Sequence, residues 1–98
     1  MIVEVVHLRA KPDQADALRE GLQAARDVIS QADGYLESAF HQGIERPLDF
    51  LLTIRWINVD AHMVGFRGGP LFPVWRSHFA HTLDGAPEMS HYTIFAGS

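Results

Sequence analysis

Six histidines stand out in this chain as residues able to do chemistry: His7, His41, His62, His78, His81 and His91. Imidazole is the side chain whose unperturbed pKa lies near neutrality, so each is a candidate general base. Each also has an ordinary reading as a packing or surface residue. His62 follows Trp56 closely enough for a short helix to fold it back over the strand end. His78 and His81 are spaced to share a helical face, but a metal site needs further ligands and groups that orient them. No His-Glu-x-x-His motif is present, and no metal is expected. Cysteine is absent, which removes disulfides, thiol nucleophiles, thiolate zinc sites and iron–sulfur clusters together. Gly65-Phe66-Arg67-Gly68-Gly69 looks like an anion loop but lacks the P-loop lysine and a dinucleotide-site context. It reads as a glycine hinge between two helix pieces, with Arg67 placed to meet a carboxylate or phenolate at a pocket mouth.

The elements that must position these groups follow from spacing. Residues 2–9 are rich in β-branched side chains and read as a strand. Its alternation puts Val3, Val5 and His7 on one side and Ile2, Val6 and Leu8 on the other. Lys11-Pro12-Asp13 interrupts it, Asp13 adding favourable charge where a helix begins. Ala15, Leu18, Leu22, Ala25, Ile29 and Ala32 form one stripe of an amphipathic helix of about five turns, which Gly34 stops. Residues 35–43 alternate as a second strand, with Leu36, Ser38 and Phe40 on one side. Residues 48–57 form the strongest strand, with Phe50, Leu52, Ile54 and Trp56 on one face. Asn58 is a good N-cap for a short helix, which the glycines at 65, 68 and 69 end. Pro70 opens another helix, given an apolar face by Leu71, Val74, Trp75, His78 and Phe79 and broken by Gly85 and Pro87. Residues 89–96 are the last strand.

The order β-α-β-β-α-β predicts one α+β domain over 1–98: a ferredoxin-like four-stranded antiparallel sheet with helices on one face. Ninety-eight residues leave no room for a second core. Strands apolar on both faces are normally covered on both, and the helices cover only one. A symmetric homodimer, sheet against sheet, solves this. Eight Lys and Arg face twelve Asp and Glu, with no basic run, so no nucleic-acid partner is expected. No apolar stretch is long enough to span a membrane, and no secretory leader is visible, so a cytoplasmic location is expected.

Residues 50–79 resemble the antibiotic biosynthesis monooxygenase (ABM) superfamily. The resemblance rests on a strand ending in Trp56, a capped short helix carrying Ala61-His62, and Gly65-Phe66-Arg67-Gly68-Gly69-Pro70. A helix with Phe72 and Trp75 follows. Gly43-Ile44-Glu45 before a proline turn and His91-Tyr92 in the closing strand are similar too. The resemblance implies a dimeric α+β barrel with a pocket between sheet and helices in each protomer. Members include oxygenases that use neither metal nor flavin, quinol oxygenases, haem-degrading enzymes and proteins of no known reaction. Three departures stand out. Many members carry a histidine about nine residues after the strand-end aromatic, where this chain has Gly65 and His62 lies one turn earlier. The haem-degrading pattern of Asn, Trp and His falls on Val5, Gly65 and Trp75, which disfavours haem degradation. Polyketide-oxygenating members have an Asn where Leu52 stands.

A member of this kind without a cofactor would act on an electron-rich phenolic, quinol or polyketide-like aromatic compound. Dioxygen reacts slowly with closed-shell molecules, and a phenolate or enolate formed by a base in a dry pocket overcomes this. His62 or His7 would accept the proton and Trp56 would stack on the substrate. Trp56, Leu52, Ile54 and Arg67 would line the pocket. The other reading is a non-catalytic dimeric small-molecule-binding or accessory domain with the same pocket. Convergence of two or more histidines on Trp56 discriminates the two.

Overall fold

The computed structural model describes residues 1–97. Its elements are β1 (Ile2–Arg9), α1 (Ala15–Ile29), β2 (Tyr35–Gln42), β3 (Asp49–Trp56) and a π-helix (Ala61–Phe66). After these come α2 (Leu71–Ser77), a 3-10 turn (Ala80–Thr82) and β4 (Glu88–Thr93). The sheet order is β2-β3-β1-β4, antiparallel throughout. This is the expected ferredoxin-like α+β arrangement. β1 and β3, the two most β-branched and apolar segments, take the central positions. Their inner faces carry Val6, Leu8, Phe50, Leu52, Ile54 and Trp56, all buried. The α1 stripe of Leu18, Leu22, Ala25 and Ile29 packs onto them. A Cβ at Gly21 would clash with the His78 carbonyl oxygen, so glycine is what lets α1 close against the end of α2.

Several boundaries differ from the sequence expectation. The α1 helix ends at Ile29 rather than at Gly34, and a turn through Ser30–Asp33 follows. Gly34 has φ +84°, and its carbonyl accepts from the Ile57 amide at 2.9 Å, tying the start of β2 to the end of β3. Asp13 does not sit in the first turn of α1. It occupies a left-handed position (φ 65°) in the turn closed by Gln14 N–H to the Lys11 carbonyl. A bulge between Tyr35 and Glu37 turns Tyr35 inward and leaves Leu36 exposed, breaking the expected Leu36, Ser38, Phe40 face. The helix after Asn58 runs through Gly65 to Phe66. Asn58 does cap it, its side-chain oxygen accepting from the Ala61 amide at 2.8 Å. Val74 points outward from α2, which ends at Ser77, well before Gly85. Finally, β4 stops at Thr93 and not at residue 96; Thr93 pairs with Ile2, the first residue of β1.

Candidate active site

The inner face of β1 reads Ile2, Glu4, Val6, Leu8, so strand alternation places a carboxyl among core side chains. Glu4 is only 6 % exposed. Two groups meet its Oε1: the indole N–H of Trp56 donates at 3.0 Å, and His62 Nε2 stands at 3.3 Å. Trp56 arrives from β3 and His62 from the π-helix. The His62 ring stacks on Trp56 (centroids 5.3 Å apart, planes 24° apart), with Phe66 beside both. The other ring nitrogen, Nδ1, lies 2.8 Å from Nε2 of His91 on β4. His91 is the direct cross-strand partner of Glu4.

Burial sets the electrostatics. It pushes the Glu4 carboxyl up from its ordinary value of 4.5 to about 7, against the Trp56 hydrogen bond and the positive Arg67, which hold it down. It pushes His62 down from 6.5 to about 4, and the nearby His91 and Arg67 add to that. Near neutrality His62 is therefore uncharged, and its contact with Glu4 is a hydrogen bond rather than an ion pair. His62 directs one nitrogen at Glu4 and the other at His91. His62 stacks on Trp56 while His91 meets His62, so the expected convergence of two histidines on Trp56 is not what the described contacts show. Among the described residues no group of three or more His, Asp or Glu is arranged to hold a metal ion.

Glu4 and His62 line a cavity of about 130 Å³ between sheet and helices. Its walls are mostly apolar: Val6, Leu8 and Leu52 from the sheet, and Phe72, Trp75 and Phe79 from α2 and just beyond it. Pro87 and Met89 close the β4 side, and two guanidinium-bearing residues, Arg67 and Arg76, complete the lining. The Arg67 guanidinium lies 5.3 Å from the Phe72 ring centroid.

The structure thus brings together Trp56, His62, Leu52 and Arg67 of the residues singled out from sequence. Three placements are corrected. His7 is exposed on the opposite face of the sheet, because it lies an odd number of residues from Glu4, and it lines a different surface hollow with Arg9 and Asp49. Trp56 and Ile54 are fully buried and do not line the cavity. Trp56 instead stands behind the wall, supporting Glu4 and His62. Glu4 was missed, although the alternation that put Ile2, Val6 and Leu8 inward put it there too. His91 was one candidate among six, and only the β1–β4 register shows that it faces Glu4.

The model of the antibiotic biosynthesis monooxygenase family matches residues 1–78. The chain belongs to this family. His91 lies outside the matched stretch. A Bordetella bronchiseptica structure described by the same family name is 28 % identical, covers 97 % of each chain and superposes with a TM-score of 0.93. YczJ of Bacillus subtilis is 23 % identical over 92 residues, covering 94 % of this chain and 97 % of that protein. The fold is shared with SnoaB, a cofactor-independent oxygenase from Streptomyces nogalater. A mutant form of that protein gives a TM-score of 0.76 at 10 % identity, covering 98 % of this chain and 94 % of that one.

Proposed function

We propose that this ABM-family chain is a cofactor-independent monooxygenase acting on an electron-rich phenolic, quinol or polyketide-like aromatic compound. One observation carries the reading: a buried carboxyl of near-neutral pKa, bonded to an uncharged imidazole, in the wall of a mostly apolar cavity. The Trp56 and His62 contacts both use Oε1, and the reading assigns Oε2 the proton taken from a substrate. A base with pKa near the working pH combines a usable ionised fraction with useful basicity. Burial, which makes ionised Glu4 costly, also makes it a stronger base than a solvated carboxylate. The base is thus the Glu4–His62 pair, with Glu4 at the reacting end, rather than His62 alone.

The chemistry balances without a further reductant. Glu4 takes a proton from the substrate, and the electron-rich anion gives an electron pair to dioxygen, forming a carbon–oxygen bond and a peroxide. Glu4's proton returns to the peroxide. Loss of the remaining proton on that carbon breaks the oxygen–oxygen bond, leaving a carbonyl on the product and releasing water. Arg67 and Arg76 favour an anionic or ionisable substrate, and the aromatic wall of Phe72, Trp75 and Phe79 favours a flat one.

Dioxygen uptake by metal-free protein, measured against a panel of quinols and hydroxynaphthoquinones, tests this reading. Turnover should rise with pH through about 7 as Glu4 ionises. Glu4→Gln should lower it by about 10²–10⁴. Saturable binding of such compounds with no turnover would favour a small-molecule-binding domain instead.

A homodimer belongs to the same proposal. The outer sheet face carries Val3, Val5, Ala39, Leu51 and Tyr92, and both helices pack on the other side. A second copy of this face is a natural cover for it.

A further inference from the structure

We propose that Glu4, His62 and His91 form a proton relay, in which His91 passes protons between solvent and the buried Glu4 carboxyl of the cavity wall. The inference rests on the monooxygenase reading for its purpose, but its geometry is independent of it.

His62 uses both ring nitrogens in opposite directions, Nε2 toward Glu4 Oε1 at 3.3 Å and Nδ1 toward His91 Nε2 at 2.8 Å. A neutral imidazole has one N–H and one lone pair, so this row of atoms has two complete hydrogen-bonding states. With Glu4 ionised, His62 Nε2–H donates to Oε1, and His62 Nδ1 accepts from His91 Nε2–H. With Glu4 protonated, its O–H donates to His62 Nε2, and His62 Nδ1–H donates to His91 Nε2. No buried polar atom loses its partner in either state, and no side chain rotates between them. Protons balance along the row. One enters at His91 Nδ1, His91 releases the one on Nε2 to His62 Nδ1, and His62 releases the one on Nε2 to Glu4. The reverse sequence empties Glu4 to solvent.

The relay serves to ionise Glu4 before the reaction by withdrawing a proton held on Oε1, because the inner members are closed off. The proton that Oε2 later takes from the substrate returns to the peroxide directly. His62 is 2 % exposed and Glu4 6 %, and a flat substrate filling the cavity covers the side of Glu4 that faces it. His91 is only half-buried. A purely structural hydrogen bond would keep one tautomer at every pH. The other groups facing the Glu4–His62 pair are Trp56 N–H from β3, Arg67 beyond the π-helix and Arg76 from α2. Arg67 favours ionised Glu4, and burial opposes it. Burial, His91 and Arg67 together keep His62 from holding a second proton, so a proton passes through it without resting there.

The decisive measurement is heteronuclear NMR of the imidazole nitrogens between about pH 5 and pH 9. His62 should stay neutral while its proton moves from Nδ1 to Nε2 as pH rises, with the midpoint of the Glu4 carboxyl followed by infrared. One fixed tautomer over the whole range overturns the relay. His91→Gln keeps a hydrogen-bonding amide beside His62 but cannot pass a proton. It should lower kcat about tenfold or more at unchanged KM, with added imidazole restoring the rate. Wild-type kcat in that variant at every buffer concentration also overturns the relay. If no electron-rich aromatic is turned over, the oxygenase reading fails, and the tautomer experiment still decides the relay.

Discussion

The indole N–H of Trp56 donates to Oε1 of Glu4 at 3.0 Å, diagonally across the β1–β3 pair. Trp56 stands opposite Ile2 and Glu4 opposite Ile54, so the two side chains share the inner face as diagonal neighbours. The largest fully buried side chain among the described residues therefore anchors a buried carboxyl and, on its face, an imidazole. Trp56 shapes the site from behind the wall, which decides how its replacement should behave.

Trp56→Phe should harm folding more than ligand binding, the reverse of what a substrate-stacking Trp56 would give. The smaller ring leaves a void in the core and removes a donor from Glu4. A loss of about 2–4 kcal/mol in denaturant unfolding is expected. The Glu4 carboxyl should also titrate higher, because the bond that holds it down is gone. Unchanged stability combined with a large loss of aromatic-ligand affinity would return Trp56 to the pocket lining.

Stability should respond to pH through two opposed protons. Folded Glu4 holds its proton up to about 7 and an ordinary Glu only to 4.5, so this group makes stability fall as pH rises between those values. Folded His62 takes a proton only near 4 and an ordinary His at 6.5, so this group makes stability rise between those values. The two slopes cancel across most of the window. Glu4→Gln should unmask the His62 slope, with stability rising toward pH 6.5 by about 1.4 kcal/mol per pH unit relative to wild type. His62→Gln should unmask the opposite slope, falling toward pH 7. Urea midpoints on a pH series read both. Parallel profiles in all three proteins would show that neither group titrates as its burial dictates.

Arg67→Met tests the positive charge in the cavity wall. Arg67 lowers the pKa of both Glu4 and His62, so both should titrate higher without it. Binding of an aryl carboxylate should weaken by about tenfold or more, the loss expected for a charge-assisted contact. A neutral aryl analogue should lose much less, since methionine keeps an apolar side chain near Phe72. Equal losses for both ligands would mean that Arg67 contributes packing rather than charge.

The element order and the sheet were legible because β1, α1 and β3 carry strong periodic patterns with few exceptions. The Trp56–His62 contact was legible because a capped turn after a strand has few ways to go. His7 was misplaced as a partner of Trp56 because alternation separates the two faces of each strand without saying which face of β1 lies on the side of Trp56; the β1–β3 register decides that. Glu4 escaped notice for the opposite reason: a charged residue inside a strand is usually solvent-facing, and only a partner from outside the strand makes its burial tolerable. Two such partners, Trp56 and His62, lie more than fifty residues away in sequence. The Leu36 error comes from a bulge, which depends on pairing rather than on local sequence.

The outer face of the sheet gives a test of assembly. Val5 and Thr53 are direct partners at its centre, and both are half-buried with no helix above them. If a second copy covers this face, a carboxylate placed there is buried without a partner. Two-fold symmetry introduces two such charges close together, at several kcal/mol for each buried ion. Wild-type protein should sediment as a dimer at micromolar concentration. Val5→Glu or Thr53→Glu should shift it to monomer, with unfolding that becomes independent of protein concentration. Val5→Ile keeps the face apolar and should leave the dimer intact. A stable, folded wild-type monomer at that concentration would sink the dimer proposal, and the Val5 side would then be an open apolar surface of the single chain.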